Sequence, residues 1–129
     1  MKYIFIAFGG ALGALCRYLS SNFINKILNI YFPAGTLTVN IAGSLLIGFL
    51  FSVFETRGVP AEFRLFLMTG FLGAYTTFST YSLETVHYLL DGNIKLAVIN
   101  IFVSNIACIL FVFAGIKFGK LELFKNFSF

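Results

Sequence analysis

Charge is scarce in this chain. Lys, Arg, Asp and Glu make up 11% of its 129 residues, and only five are acidic: Glu55, Glu62, Glu84, Asp91 and Glu122. With 59% hydrophobic residues and a mean hydropathy of +0.93, it has too much apolar surface for a soluble domain of this size to hide. A water-soluble fold is excluded, and the chain reads as an all-α integral membrane protein. Cysteine is nearly missing as well. Cys16 and Cys108 lie within apolar runs without metal-ligand spacing, so they read as packing residues. Leu15 stands where lipid attachment at Cys16 would need a small residue. The net charge of +4 comes from basic residues that flank apolar stretches, and no nucleic-acid partner is indicated. Linkers, repeats and low-complexity tracts are absent, so residues 1–129 read as a single transmembrane domain.

What remains is apolar length. A spanning helix needs roughly 20 apolar residues, and stretches at about 2–30, 32–54, 63–90 and 94–118 each supply them. The first could pass for a signal peptide, but its apolar run continues past any cleavage site, so it is expected to be the first of four transmembrane helices. Short connections predict antiparallel neighbours with both termini on one side. Lys2, Arg57, Arg64, Lys117, Lys120 and Lys125 fall on that side, against Lys26 and Lys95 on the other and Arg17 within the first helix. That bias favours cytoplasmic termini.

Small residues recur at helical spacing. In "FGGALGA" Gly9 and Gly13 are four apart, as are Gly10 and Ala14, and the second stretch adds Gly35, Ala42, Gly43, Ser44 and Gly48. Such faces let helices approach closely where no hydrophobic force operates between them. Pro33 is expected at the start of the second helix. Asn40 is the exception there: a primary amide at membrane depth must face protein, water or a ligand, and an interhelical hydrogen bond would satisfy it equally well. The fourth stretch carries Asn100, Ser104 and Asn105, with Asn100 and Ser104 on one face.

"GFLGAYTTFSTYSLE", residues 70–84, interrupts the third stretch. Gly70 and Gly73 lower helix propensity, and the hydroxyls of Thr76 and Thr77 compete for backbone partners. The spacing predicts a broken third helix. Carbonyls freed by a break cannot face lipid; they must be buried by protein or line a polar site. Freed carbonyls suit a cation, and the amino end of the second half-helix suits an anion. Phe78 and Tyr81 follow, separated by Ser79 and Thr80. Their ring edges are positive and could meet a small anion without binding it too tightly to leave; packing would account for them as well.

The first stretch has no carboxylate, which argues against proton coupling through a first-helix glutamate, as in the small four-helix multidrug antiporters. Glu84 and His87 form an i, i+3 pair that could relay protons. Arg17 is expected to snorkel toward a helix end or headgroup. Four helices are too few to enclose a hydrated pore, so an oligomer is expected, most simply with two-fold symmetry.

In order and spacing, "GGALGALCRY", "GTLTVNIAGSLLIG" and "GFLGAYTTFSTYSLE" resemble the Fluc (CrcB) family of bacterial fluoride channels, over nearly the whole chain up to about Gly119. The resemblance implies a dual-topology antiparallel dimer of four-helix subunits enclosing two fluoride pores in the bacterial inner membrane. It implies a structural sodium ion at the dimer centre, held by backbone carbonyls of Gly73 and Thr76. It places pore residues at Asn40, Phe78, Tyr81 and Ser104, a polar track at Ser79 and Thr80, and accessory residues at Arg17 and Glu84. Two positions depart from the family pattern: Tyr81 stands where Phe is usual, and Asn100 where Tyr is usual. The basic bias also sits awkwardly with insertion in both orientations; a homodimer is expected, with a heterodimer of oppositely oriented homologues as the alternative.

The function so expected is passive fluoride export that protects against fluoride toxicity, with no enzymatic chemistry. A proton-coupled exporter using Glu84 and His87 is the alternative. A non-transporting packing subunit of a larger membrane complex is a third class.

Overall fold

The computed structural model describes the backbone of residues 1–125 and the side chains of residues 1–121. The Glu122 and Lys125 side chains, both counted among the charges above, and residues 126–129 lie outside the described residues. The order is α1 (Lys2–Leu28), α2 (Ala34–Arg57), α3 (Ala61–Arg64), a π-helical stretch (Leu65–Leu72), α4 (Gly73–Tyr75), α5 (Phe78–Leu90) and α6 (Ile94–Lys125). Among the described residues, three helices, α1, α2 and α6 over Ile94–Leu121, are long and apolar enough to cross a membrane. The stretch expected as a third helix at 63–90 begins earlier, at Ala61, and is divided into the pieces from α3 to α5. The boundaries expected at 30, 32, 54 and 118 fall instead at Leu28, Ala34, Arg57 and Lys125.

Helix ends follow local chemistry. α1 stops where Asn29 turns left-handed (φ 43°, ψ 45°) and its amide bonds the Asn25 carbonyl at 2.9 Å. Asn tolerates that conformation better than most residues. Pro33 immediately precedes α2 rather than opening it, and Gly58, at φ 59°, terminates it. Arg64 then reaches back to the carbonyl of Val59 and to that of Phe54 in the last turn of α2, so a cation sits at the carboxyl end of that helix.

The packing puts small residues inside and large ones outside. α2 packs most extensively on α6, and α1 on the π-helical stretch. At the first contact a Cβ on Gly48 would strike the Val112 backbone, and one on Gly115 the Leu45 and Phe49 backbones. At the second, a Cβ on Gly9 would strike Phe66 and Phe71, and one on Gly70 would meet Ile6 and Gly10. Meanwhile Phe8, Leu12, Phe23, Phe102, Ile106 and Phe113 are exposed. Backbones this close gain dispersion and exclude lipid from the seam, while the bulky outer side chains match acyl chains.

Candidate functional site at the Thr76–Thr77 interruption

The helix stops at Tyr75 and restarts at Phe78. Thr76 is extended (φ −87°, ψ 158°), as is Thr77 (φ −150°, ψ 115°). Thr77 makes most of the bonds that fix this bend. Its backbone amide donates to Asn40 Oδ1 at 2.8 Å, and its carbonyl accepts from Asn40 Nδ2 at 3.1 Å. Its hydroxyl caps α5, accepting from the Thr80 amide at 3.2 Å and donating to Thr80 Oγ1 at 3.0 Å. Asn40 therefore has the interhelical bond that sequence reasoning left as one of two options, made to the break itself.

This bonding has a consequence for the carbonyls of Gly73 and Thr76. In an unbroken helix each would accept from the amide four residues on, at Thr77 and Thr80. Both amides are taken, the first by Asn40 and the second by the Thr77 hydroxyl. The bend takes the helical donors of these two oxygens, and the Thr76 hydroxyl is spent on the Leu72 carbonyl at 3.0 Å. Among the described residues no group of three or more His, Cys, Asp or Glu could hold a metal. Peptide oxygens in general suit a hard cation.

A cavity of about 310 Å³ opens beside the bend, reached by Asn40, Gly73, Thr76, Thr77, Phe78, Tyr81, Ser104 and Asn105. Its lining holds no Lys, Arg, His, Asp or Glu. Phe78 and Tyr81 lie with ring centroids 5.3 Å apart and planes tilted at 49°. Phe78 is 75% exposed and Tyr81 only 8%. Ser79 and Thr80 are exposed and lie outside this cavity, tied to the Thr77 cap.

Asn100 is 1% exposed. Its Nδ2 donates to Thr85 Oγ1 at 2.9 Å, its Oδ1 accepts from Ser104 Oγ at 3.1 Å, and Thr85 donates onward to the Tyr81 carbonyl at 2.8 Å. The chain of bonds runs from the cavity wall into the α5–α6 seam. Ser104 lines the cavity with its hydroxyl hydrogen directed at Asn100, so it offers the cavity lone pairs. Asn100 lies behind the wall rather than in it. Thr77, Thr85 and Asn105 were not singled out from the sequence as site residues; a buried tyrosine hydroxyl at position 81, which needs a partner, was the signal for Asn105.

Glu84 faces elsewhere. Its Oε1 accepts from the Thr36 hydroxyl at 2.6 Å, while Oε2 is buried without a partner among the described residues. With His87, Tyr31 and Asp91 it lines a second cavity of about 470 Å³. Glu84 and His87 form no hydrogen bond or ion pair with each other there. Arg17 is half-buried on α1 and lines neither cavity.

Comparison with known proteins places the chain in a family. The family model described as "CrcB-like protein, Camphor Resistance (CrcB)" matches residues 4–116. This chain belongs to the CrcB family. Relatives from across the family are similar over nearly their full length. A "Fluoride-specific ion channel FluC" of Maridesulfovibrio salexigens is 41% identical over 121 residues, 93% of this chain and 96% of the relative. That of Citrifermentans bemidjiense is 44% identical over 121 residues, covering 92% and 97%. That of Campylobacter lari is 46% identical over 115 residues, covering 89% and 94%. Family membership and the long apolar helices together make this a multi-pass, all-helical membrane protein.

Proposed function

We propose that this chain is a fluoride-selective passive channel subunit and carries out no enzymatic chemistry. The observation that carries the reading is the cavity at the Thr76–Thr77 interruption, where two aromatic side chains and neutral polar groups, with no Lys, Arg, His, Asp or Glu, converge beside the start of α5. The names of the relatives favour fluoride as the ion. Fluoride is small and a strong acceptor, and it gains from ring edges, from amide hydrogens and from the helix amino end. Chloride, larger and a weaker acceptor, gains less from the same groups. No basic side chain lines the cavity, so none traps the anion there. A negative cell interior then drives it outward by about 2.3 kcal/mol per 100 mV.

The finer architecture is part of the proposal. The pieces from α3 to α5 form one broken membrane span, the fourth crossing beside α1, α2 and α6. Two chains pair in antiparallel orientation, each covering the other's exposed Phe78. The Gly73 and Thr76 carbonyls of both chains hold a structural sodium ion, which supplies a positive charge to oxygens that lipid cannot solvate. The homodimer is preferred because the basic bias rests partly on tail lysines. The membrane is the bacterial cytoplasmic membrane.

The test is fluoride efflux from loaded liposomes carrying the lone purified chain. Efflux well above protein-free vesicles, with chloride efflux remaining at background, is expected. Fluoride efflux equal to that of empty vesicles would sink the channel reading.

A further inference from the structure

Asn105 Nδ2 makes two contacts, one to the Ile101 carbonyl at 2.7 Å and one to Tyr81 Oη at 3.0 Å. The first fixes the amide's orientation. A carbonyl oxygen only accepts, so the atom beside it must be the nitrogen, which only donates. Tyr81 Oη therefore receives a hydrogen from Asn105. The tyrosine's own hydroxyl hydrogen points away from that bond, and no acceptor among the described residues takes it. Both side chains line the 310 Å³ cavity together with Phe78 and Ser104.

Three features make this a built donor. Tyr81 is nearly buried, so water competes little for its hydrogen. Its carbonyl is held by Thr85, which in turn is held by Asn100, so the α5 backbone at Tyr81 is pinned to α6. Its oxygen is already saturated on one side by Asn105, and accepting a hydrogen bond polarises the O–H and strengthens it as a donor. Ser104 directs its hydrogen to Asn100 and so leaves this task to the tyrosine.

We infer that the Tyr81 hydroxyl donates a hydrogen bond to the anion in this cavity, and that Asn105 is the positioning residue that aims it. This deepens the fluoride-channel reading and rests on it. The inference turns a ring-edge contact into a directed O–H donor, which favours a small, strong acceptor over a larger halide. A neutral hydroxyl is also weak enough to release the ion.

The experiment measures fluoride flux from liposomes against fluoride concentration for the full chain, Tyr81→Phe, Asn105→Ala and the double variant. One hydrogen bond to a charged acceptor predicts that Tyr81→Phe raises the half-saturating fluoride concentration about tenfold. Asn105→Ala, at an exposed position whose loss the fold tolerates, should shift it in the same direction by about threefold. In the Tyr81→Phe background the Asn105 substitution should add nothing, because the group it aims is gone. A purely structural Asn105 would instead lower maximal flux equally in both backgrounds and leave half-saturation alone, which would overturn the inference. Tyr81→Phe flux with unchanged half-saturation would overturn it too. If the unsubstituted chain conducts no fluoride, the channel reading itself fails, an outcome separate from either of these.

Discussion

Asn40 and Thr77 hold each other in both directions: one side-chain amide accepts from and donates to a single residue's backbone across two helices. The pairing replaces the ladder bonds that the chain gives up at the bend. Asn40→Ala strips a partner from both the amide and the carbonyl of Thr77, at about 1 to 3 kcal/mol for each group left unpaired. A clear fall in thermal stability together with lost flux is expected. Asn40→Asp keeps the acceptor, loses the donor and adds charge. It should lose flux as fully as Asn40→Ala while losing less stability, and equal stability losses would contradict the two-way pairing.

Phe78 offers the opposite separation. Because its ring is mostly exposed in the single chain, Phe78→Ile should change subunit folding by no more than about 0.5 kcal/mol, the usual range for surface substitutions. Flux should fall roughly two- to tenfold, as loss of one aromatic edge contact implies. Differential scanning and liposome flux on the same preparation check both halves.

Removing sodium tests the two freed carbonyls. Exchanging sodium for a bulky organic cation should loosen the paired chains and lower flux, with recovery on restoring sodium. Scattering mass in detergent reads the first and fluoride efflux the second. Identical mass and flux in the absence of sodium would show that Gly73 and Thr76 do not need the ion.

Close backbone contact sets a further expectation. A Cβ on Gly115 would meet the Leu45 carbonyl, where no flexible side-chain end can yield. Gly115→Ala should force α2 and α6 apart at a cost of about 1 to 3 kcal/mol. Gly92, with nothing around it, supplies the control for added bulk only after allowance for its φ of 75°. A thermal melt in detergent distinguishes the two.

Outside the spans, Tyr31 donates its hydroxyl to Asp91 Oδ2 at 3.0 Å. That hydrogen bond, followed by the carboxylate's charge and slight burial, raises the Tyr31 pKa above the ordinary tyrosine range. Its proton is held more tightly in the folded chain. The contact therefore contributes fully below the unfolded value of about 10 and is lost as pH rises through the higher folded value. Tyrosinate absorbance should show Tyr31 titrating late, and Asp91→Asn should move that group back toward the ordinary tyrosine range.

Much of the site was legible from single residues. Gly70, Gly73 and the paired threonines set this stretch apart from the other apolar runs, and Asn40 announced an amide in need of a partner. What could not be read was who answered. Asn40 bonds Thr77 backbone, Asn105 bonds Tyr81, and Asn100 bonds Thr85 rather than facing an ion. Each partner lies many residues away, at a distance set by how α2 and α6 cross α5. The π-helical stretch was equally invisible, since its wider turn is where Gly70 meets α1 rather than a propensity of its own residues.

By itself the sequence determined the solvent and the segments. So little charge over so many apolar residues leaves only a bilayer, and glycines at helical spacing leave only close packing. Tertiary structure alone decided which hydrogens and oxygens remain free at the bend. Hydrogen-bond capacity belongs to a residue, but its use depends on a neighbour within about 3 Å, and only the packed helices choose that neighbour.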